Sequence, residues 1–160
     1  MKNNGKDKEI FREWMDINPN LSDIDVKLNT QFVLFSNNII NTRCNFCKSY
    51  GLNTSEFDVI ATLYRSGGKH ELTAKELKER TLLPSSGALS NRVDRLESKG
   101  LTKRRHDIRD KRSVKVALTK SGLELVQKIH PIFFDVMSEQ FSNLSDDDKK
   151  SLINIMSKIT

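Results

Sequence analysis

Apolar residues recur three to four positions apart along most of this chain, the period of α-helices that turn one face to a core. In residues 2–18, Ile10, Trp14 and Ile17 fall at i, i+4 and i+7 and Asn18-Pro19 closes the run, which predicts a short helix. Ser22 and Asp25 then stand at capping-box spacing. Behind them Ile24, Leu28, Phe32, Phe35, Ile39, Phe46 and Tyr50 sketch the inward stripe of a long helix ending near Gly51. Asn53 or Thr54 caps a third helix, which turns Phe57, Ile60, Ala61 and Tyr64 inward and stops at Gly67-Gly68.

Thr73 and Glu76 form another capping-box pair, ahead of a brief helix with Ala74 and Leu77 inward that ends before Pro84. From Ser85 the period resumes. Leu89, Val93 and Leu96 share one face, while Ser86, Ser90, Asn91, Asp94 and Arg95 share the other, up to Gly100. Two short helices joined by a tight turn, the second polar on one side, make a helix-turn-helix candidate. Residues 102–106 and 113–118 bracket the polar run DIRDKR, and Val114, Val116 and Leu118 alternate with Lys115 and Ala117. This predicts a two-stranded hairpin with a charged tip. Thr119 caps a further helix with Val126, Ile129, Phe133, Val136 or Met137, and Phe141 on one stripe; Pro131 is expected to kink it or to start a new turn. Ser145 and Asp148 cap a last helix bearing Leu152, Ile155 and Ile159. The fold class expected is mostly α with a small β-hairpin wing.

A chain of 160 residues holds one domain, or a small domain with appended helices. No apolar run approaches the roughly 18 residues of a membrane span. The opening MKNNGKDKEIF is polar where a signal peptide is apolar, so a cytoplasmic protein with no membrane partner is expected. Cys44 and Cys47 are too few and too close for a disulfide framework, which suits a reducing compartment. Formal charge is +6, and eight basic residues against two acidic ones between Lys99 and Lys115 account for all of it. A charge run alone is as readily a solvated face as a binding surface. This one directly follows a helix with a polar face. Such a helix fits the major groove of DNA, and a narrow basic hairpin fits the adjacent minor groove, where the phosphate field is concentrated. The side chains placed for DNA are Ser85, Ser86, Ser90, Asn91 and Arg95 on the helix, and Lys103, Arg105, Arg109 and Lys111 on the hairpin.

The stretch from Glu71 to Val126, ELTAKELKERTLLPSSGALSNRVDRLESKGLTKRRHDIRDKRSVKVALTKSGLELV, resembles the DNA-binding lobe of the multiple-antibiotic-resistance regulator (MarR) family. Within it the Asp-x-Arg-Asp-x-Arg of Asp107 to Arg112 is similar to that family's wing signature. The resemblance runs from about Ile24 to Ile159 and implies a winged helix-turn-helix regulator acting as a homodimer on a pseudo-palindromic operator. It implies an extension helix at 1–20 and a MarR-like domain at 21–160. Dimerisation helices are expected near 22–50 and 119–160, and the winged lobe near 53–118. Arg109 is expected at the wing tip, with Asp107 and Arg112 pairing to hold the wing's shape.

Trp14, together with NTSEFDVIATLYR and SSGALSNRVDRLE, also resembles the urate-responsive subgroup of that family. This implies a pocket for a small anionic aromatic or purine effector formed with Trp14, Asp58 and Arg92; Arg65 and Arg104 are further basic positions of the same kind. Trp14 is equally well read as an aromatic that packs the N-terminal helix, and Arg92 as a phosphate contact. Cys44 and Cys47 lie inside a predicted helix without further ligands nearby, so buried small hydrophobes are expected. A redox-sensing repressor that uses these thiols is the alternative, as is a nucleic-acid-binding module without ligand control. His70, His106 and His130 share no ligand spacing, and Ser85-Ser86 has no His or acid placed beside it. No metal, no cofactor and no enzymatic activity are therefore expected.

Overall fold

The computed structural model describes residues 5–81, 86–106 and 114–159, with Ser86 given by its backbone alone. The elements are α1 (Lys6–Ile17), α2 (Asp23–Ser49), α3 (Thr54–Arg65), β1 (Glu71–Thr73), α4 (Ala74–Arg80), α5 (Ser86–Ser98), β2 (Thr102–His106), β3 (Val114–Leu118), α6 (Lys120–Glu139) and α7 (Asp146–Met156). The fold is mostly helical with a small antiparallel sheet, as the periodicity predicts. Helices start where the sequence places caps, because a cap satisfies N–H groups that the first turn leaves open. Asn53 with Glu56, Thr73 with Glu76 and Ser145 with Asp148 each make the reciprocal capping box. Gly122 N donates to Thr119 Oγ1 at 3.0 Å to open α6. No helix among the described residues is long and apolar enough to cross a membrane.

The chain divides into two compact units, Met1–Arg43 and Cys44–Thr160. In the first, α1 is tied to the early turns of α2. Gln31 Nε2 donates to Asp7 Oδ2 at 2.8 Å, and Lys27 Nζ lies 4.8 Å from the centre of the Phe11 ring. The stripe expected to face inward along α2 is not buried as one surface. Ile24 is 73% exposed, and Leu28, Phe32 and Phe35 are also exposed; Phe46 and Cys47, by contrast, are buried in the core of the second unit. A 27-residue helix rises about 40 Å, more than one small core covers.

The second unit is built around Leu52, Phe57, Ile60 and Leu63 near α3, Leu77 of α4, Leu89, Val93 and Leu96 of α5, and Val126 and Ile129 of α6. Phe46, Phe57 and Phe133 pack as an aromatic group with ring centroids 4.7 to 6.0 Å apart. The sheet has three strands in the order β1-β3-β2, not the two expected, because Glu71–Thr73 pairs antiparallel with β3 in the register Leu72↔Val116. As the central strand, β3 buries Val116, Ala117 and Leu118 in succession, while Val114 is exposed, so the expected alternation fails at both ends. At Pro131 no new helix begins: α6 is assigned as one helix through that residue.

Candidate nucleic-acid interface

Leu89, Val93 and Leu96 seat α5 on the core, and this leaves Ser90, Asn91, Asp94 and Arg95 on its outer face. The helix ends in a paired closing turn. Gly100 N–H donates to Glu97 O at 2.8 Å and Leu101 N–H to Leu96 O at 2.9 Å. Gly100 sits at φ 69°, a left-handed conformation that glycine adopts without strain. β2 follows at once, so helix and wing strand are joined by a single short turn.

Two ion-pair systems hold this corner. Lys99 Nζ lies 2.7 Å from Glu56 Oε2 and 2.8 Å from Gly51 O, so the end of α5 is pinned to the start of α3. Glu56 is 2% exposed. Burial works to raise its carboxyl, but the Lys99 ammonium and the Asn53 N–H outweigh that and hold it below the usual carboxylate range. Arg104 of β2 reaches back onto α5. Its Nη2 donates to Asp94 Oδ1 at 2.7 Å, its Nη1 donates to Glu97 Oε2, and its backbone N–H donates to Glu97 Oε1 at 2.6 Å. Partial burial opposes the charge, yet the two carboxylates hold the guanidinium more firmly protonated than usual.

Strand alternation puts Lys103 and Arg105 on the face of β2 opposite Arg104. Arg105 is exposed and Lys103 half-buried, in register with Lys115 and Ala117. Of the five described basic residues between Lys99 and Lys115, ion pairs engage Lys99, Arg104, and Lys115, which lies 3.7 Å from Glu71. Ser85, Asp107, Arg109, Lys111 and Arg112 lie outside the described residues, as does the side chain of Ser86. The expected pairing of Asp107 with Arg112 therefore lies outside them too.

Among the expected effector residues, Trp14 on α1 is 54% exposed. Asp58 on α3 and Arg92 on α5 are half-buried, and Arg92 Nε is enclosed with no hydrogen-bond partner among the described residues. Arg65 donates through Nη2 to the carbonyl of Arg80 at the end of α4. A cavity of about 610 Å³ opens between α4, α5 and the sheet; Leu89, Val93 and Val116 give it apolar walls, and Lys75, Lys78 and Arg104 supply cations. Cys47 is fully buried and Cys44 half-buried. Among the described residues no group of three His, Cys, Asp or Glu side chains is placed to hold a metal ion.

Periodicity did not reveal the Arg104 fork or β1. A signal existed for the first: Asp94 and Glu97 stand at i, i+3 on one helix face, and an arginine enters the next strand. For β1, three residues are too short to show a period.

Residues 50–113 match the profile of the MarR family. The chain is 37% identical over 111 residues to the HTH-type transcriptional regulator YkoM of Bacillus subtilis, covering 69% of this chain and 70% of that protein. Its fold is similar to that of Sco3205, a MarR family transcriptional regulator from Streptomyces coelicolor solved in complex with DNA. That match has a TM-score of 0.76 at 21% identity and covers 87% of each chain. It is also similar to Bordetella bronchiseptica BpsR, solved to explain how 6-hydroxynicotinic acid regulates its DNA binding, with a TM-score of 0.69 at 19% identity over 82% of this chain and 91% of that one. These structural likenesses bear on the fold, and the sequence likeness to YkoM bears on descent. With a helix pair, a polar outer face and a wing in the matching order, the chain belongs to the MarR family of winged helix-turn-helix transcriptional regulators.

Proposed function

We propose that this protein is a ligand-controlled transcriptional repressor that binds pseudo-palindromic double-stranded DNA as a homodimer, with α5 in the major groove and the wing in the minor groove beside it. One observation carries the reading: α5 buries Leu89, Val93 and Leu96 and offers Ser90, Asn91 and Arg95 outward, next to the basic strand β2. The Sco3205–DNA complex, on the same fold, supports it. The exposed apolar side chains Leu28 and Phe32 of α2, Phe134 of α6 and Ile153 of α7 support a second copy as their cover, with dimerisation helices near 22–50 and 119–160. Two-fold proteins read two-fold sites, so the half-sites lie about one helical turn apart.

The effector in this reading is a small planar anion, aromatic or purine, with urate as the reference compound. Trp14 supplies a flat stacking surface, Arg92 a planar donor fork, and Asp58 an acceptor for ring N–H groups. Because Arg92 belongs to α5, a ligand that engages it biases the position of that helix. DNA release then follows from the ligand's preference for the non-binding arrangement. The regulation of BpsR by 6-hydroxynicotinic acid supports this class of ligand. The cavity beside Ser90 and Arg104 favours a second location, since its apolar walls and cationic residues suit the same chemistry.

The test is binding of a labelled duplex from upstream of the protein's own gene, with urate, xanthine or salicylate as competitor. Arg109→Ala is expected to weaken binding and flatten its salt dependence between roughly 50 and 200 mM; unchanged affinity across that range removes the wing from the interface. Purine binding by calorimetry that survives both Trp14→Phe and Arg92→Ala moves the effector away from those residues. Wild-type protein that ignores every duplex defeats the reading as a whole.

A further inference from the structure

Arg104 sits in the basic run that the DNA reading relies on, yet its guanidinium is engaged on both sides by the protein. Nη2 meets Asp94 at 2.7 Å, Nη1 meets Glu97, and the backbone N–H of the same residue donates to Glu97 Oε1 at 2.6 Å. Both carboxylates belong to α5, the element that enters the groove. Asp94 has 56% of its side chain exposed, so its charge is felt at the surface. Left unpaired, two carboxylates on that helix repel a polyanion. A planar guanidinium is the side chain able to bridge both at once, because its fork presents two parallel donor edges, whereas an ammonium is a single point charge. The bond from the backbone N–H adds a second effect: it fixes β2 to the helix, so the same residue sets how the wing strand leaves α5.

We propose that Arg104 is a positioning residue for DNA binding that does not itself touch DNA. It neutralises Asp94 and Glu97 on the recognition helix, while the wing strand is held separately by the backbone N–H, a bond that any side chain at 104 leaves in place and that Glu97→Gln still accepts. This rests on the reading of α5 as a DNA-binding helix. It predicts that loss of Arg104 is repaired by removing the acids it covers.

The experiment uses the full chain and a fluorescein-labelled duplex of mixed sequence, about 30 base pairs long, because sequence-independent binding reports the electrostatic balance directly. Arg104→Gln is expected to weaken binding about tenfold near 100 mM salt, the scale of exposing two charges beside the phosphates. Arg104→Lys, which keeps the charge and loses the fork, falls between that variant and wild type. The triple variant Arg104→Gln, Asp94→Asn, Glu97→Gln is isosteric and without charge at all three positions, and it returns to within about threefold of wild type. Asp94→Asn with Glu97→Gln alone, which leaves Arg104 uncovered, binds at least as tightly as wild type and with a steeper salt dependence. Thermal melts of all the variants separate folding defects from charge effects. A triple variant as weak as Arg104→Gln, or an acid-free double variant that binds less tightly than wild type, overturns the assignment. An Arg104→Gln protein with undiminished affinity does the same. If wild-type protein fails to bind the duplex at all, the DNA reading itself falls, an outcome distinct from each of these.

Discussion

The winged lobe and the long helix α2 treat the same residue types in opposite ways. In the lobe, Leu63, Leu77, Leu96 and Ile129 have no exposed surface, and every element from α3 to α6 except β2 contributes to one shared core. Along the first half of α2, Ile24, Leu28, Phe32 and Val33 repeat at comparable spacing and remain more than half exposed. The contrast shows what a hydrophobic period determines: it selects which residues share a face, but not whether that face is covered within the chain. Stability of the single chain therefore resides in the lobe, and the outer half of α2 is surface available for association.

The largest effect that sharpens this contrast comes from Leu63→Ala, which removes a fully buried side chain and should cost about 2–5 kcal/mol. Urea unfolding measures it; a loss below about 0.5 kcal/mol, as for a surface change, would mean that the lobe core is not the source of stability. Gly122→Ala should follow. A Cβ at that position comes within 2.0 Å of the Leu101 carbonyl oxygen, so the start of α6 must move away from the wing turn. The cost is about 1–3 kcal/mol, and a thermal melt that is unchanged shows that the contact relaxes without penalty.

Lys99→Met is expected to cost about 1–2 kcal/mol, since it leaves the buried Glu56 carboxylate without its cation. The sign of its pH dependence follows from the lowered carboxyl. In wild type, Glu56 contributes stability that is complete above the ordinary carboxylate range and is lost as pH falls through its lower folded value. Without Lys99, burial dominates, so acidification that neutralises Glu56 no longer costs stability and the acid limb flattens. Urea midpoints that follow the same acid limb in both proteins would argue against the pair. The smallest effect on the folded chain belongs to Phe32→Ser on α2, within about 0.5 kcal/mol for the dissociated protein. Its consequence should appear in sedimentation, as weaker self-association. A variant that loses a kcal or more of single-chain stability would show that this face is covered within the chain.

These outcomes bear on how much the sequence made legible. Helix starts were readable because caps are local chemistry: Asn53, Thr73, Thr119 and Ser145 each hold their own first turn. The buried face of α5 was readable because Leu89, Val93 and Leu96 are spaced as one turn follows another. The charge run was legible as a total, but not which of its described members pair with acids. Lys99, Arg104 and Lys115 each meet an acid brought in from another element, and those partners are 43, 7 to 10, and 44 positions away along the chain. The Lys99 and Lys115 pairings depend on the packing at separations that no local window of sequence contains, whereas the Arg104 partners lie within one. β1 escaped for the opposite reason, being too short to carry a pattern.

Thr73 holds two positions at once. It is the last residue of β1, in register with Lys115, and its side chain caps α4 by accepting from Glu76 N–H. No linker separates the sheet from the first helix of the helix-turn-helix, so the joint has no backlash. A rotation of the sheet about Thr73 is therefore passed directly to the first turn of α4, with no intervening residue to absorb it.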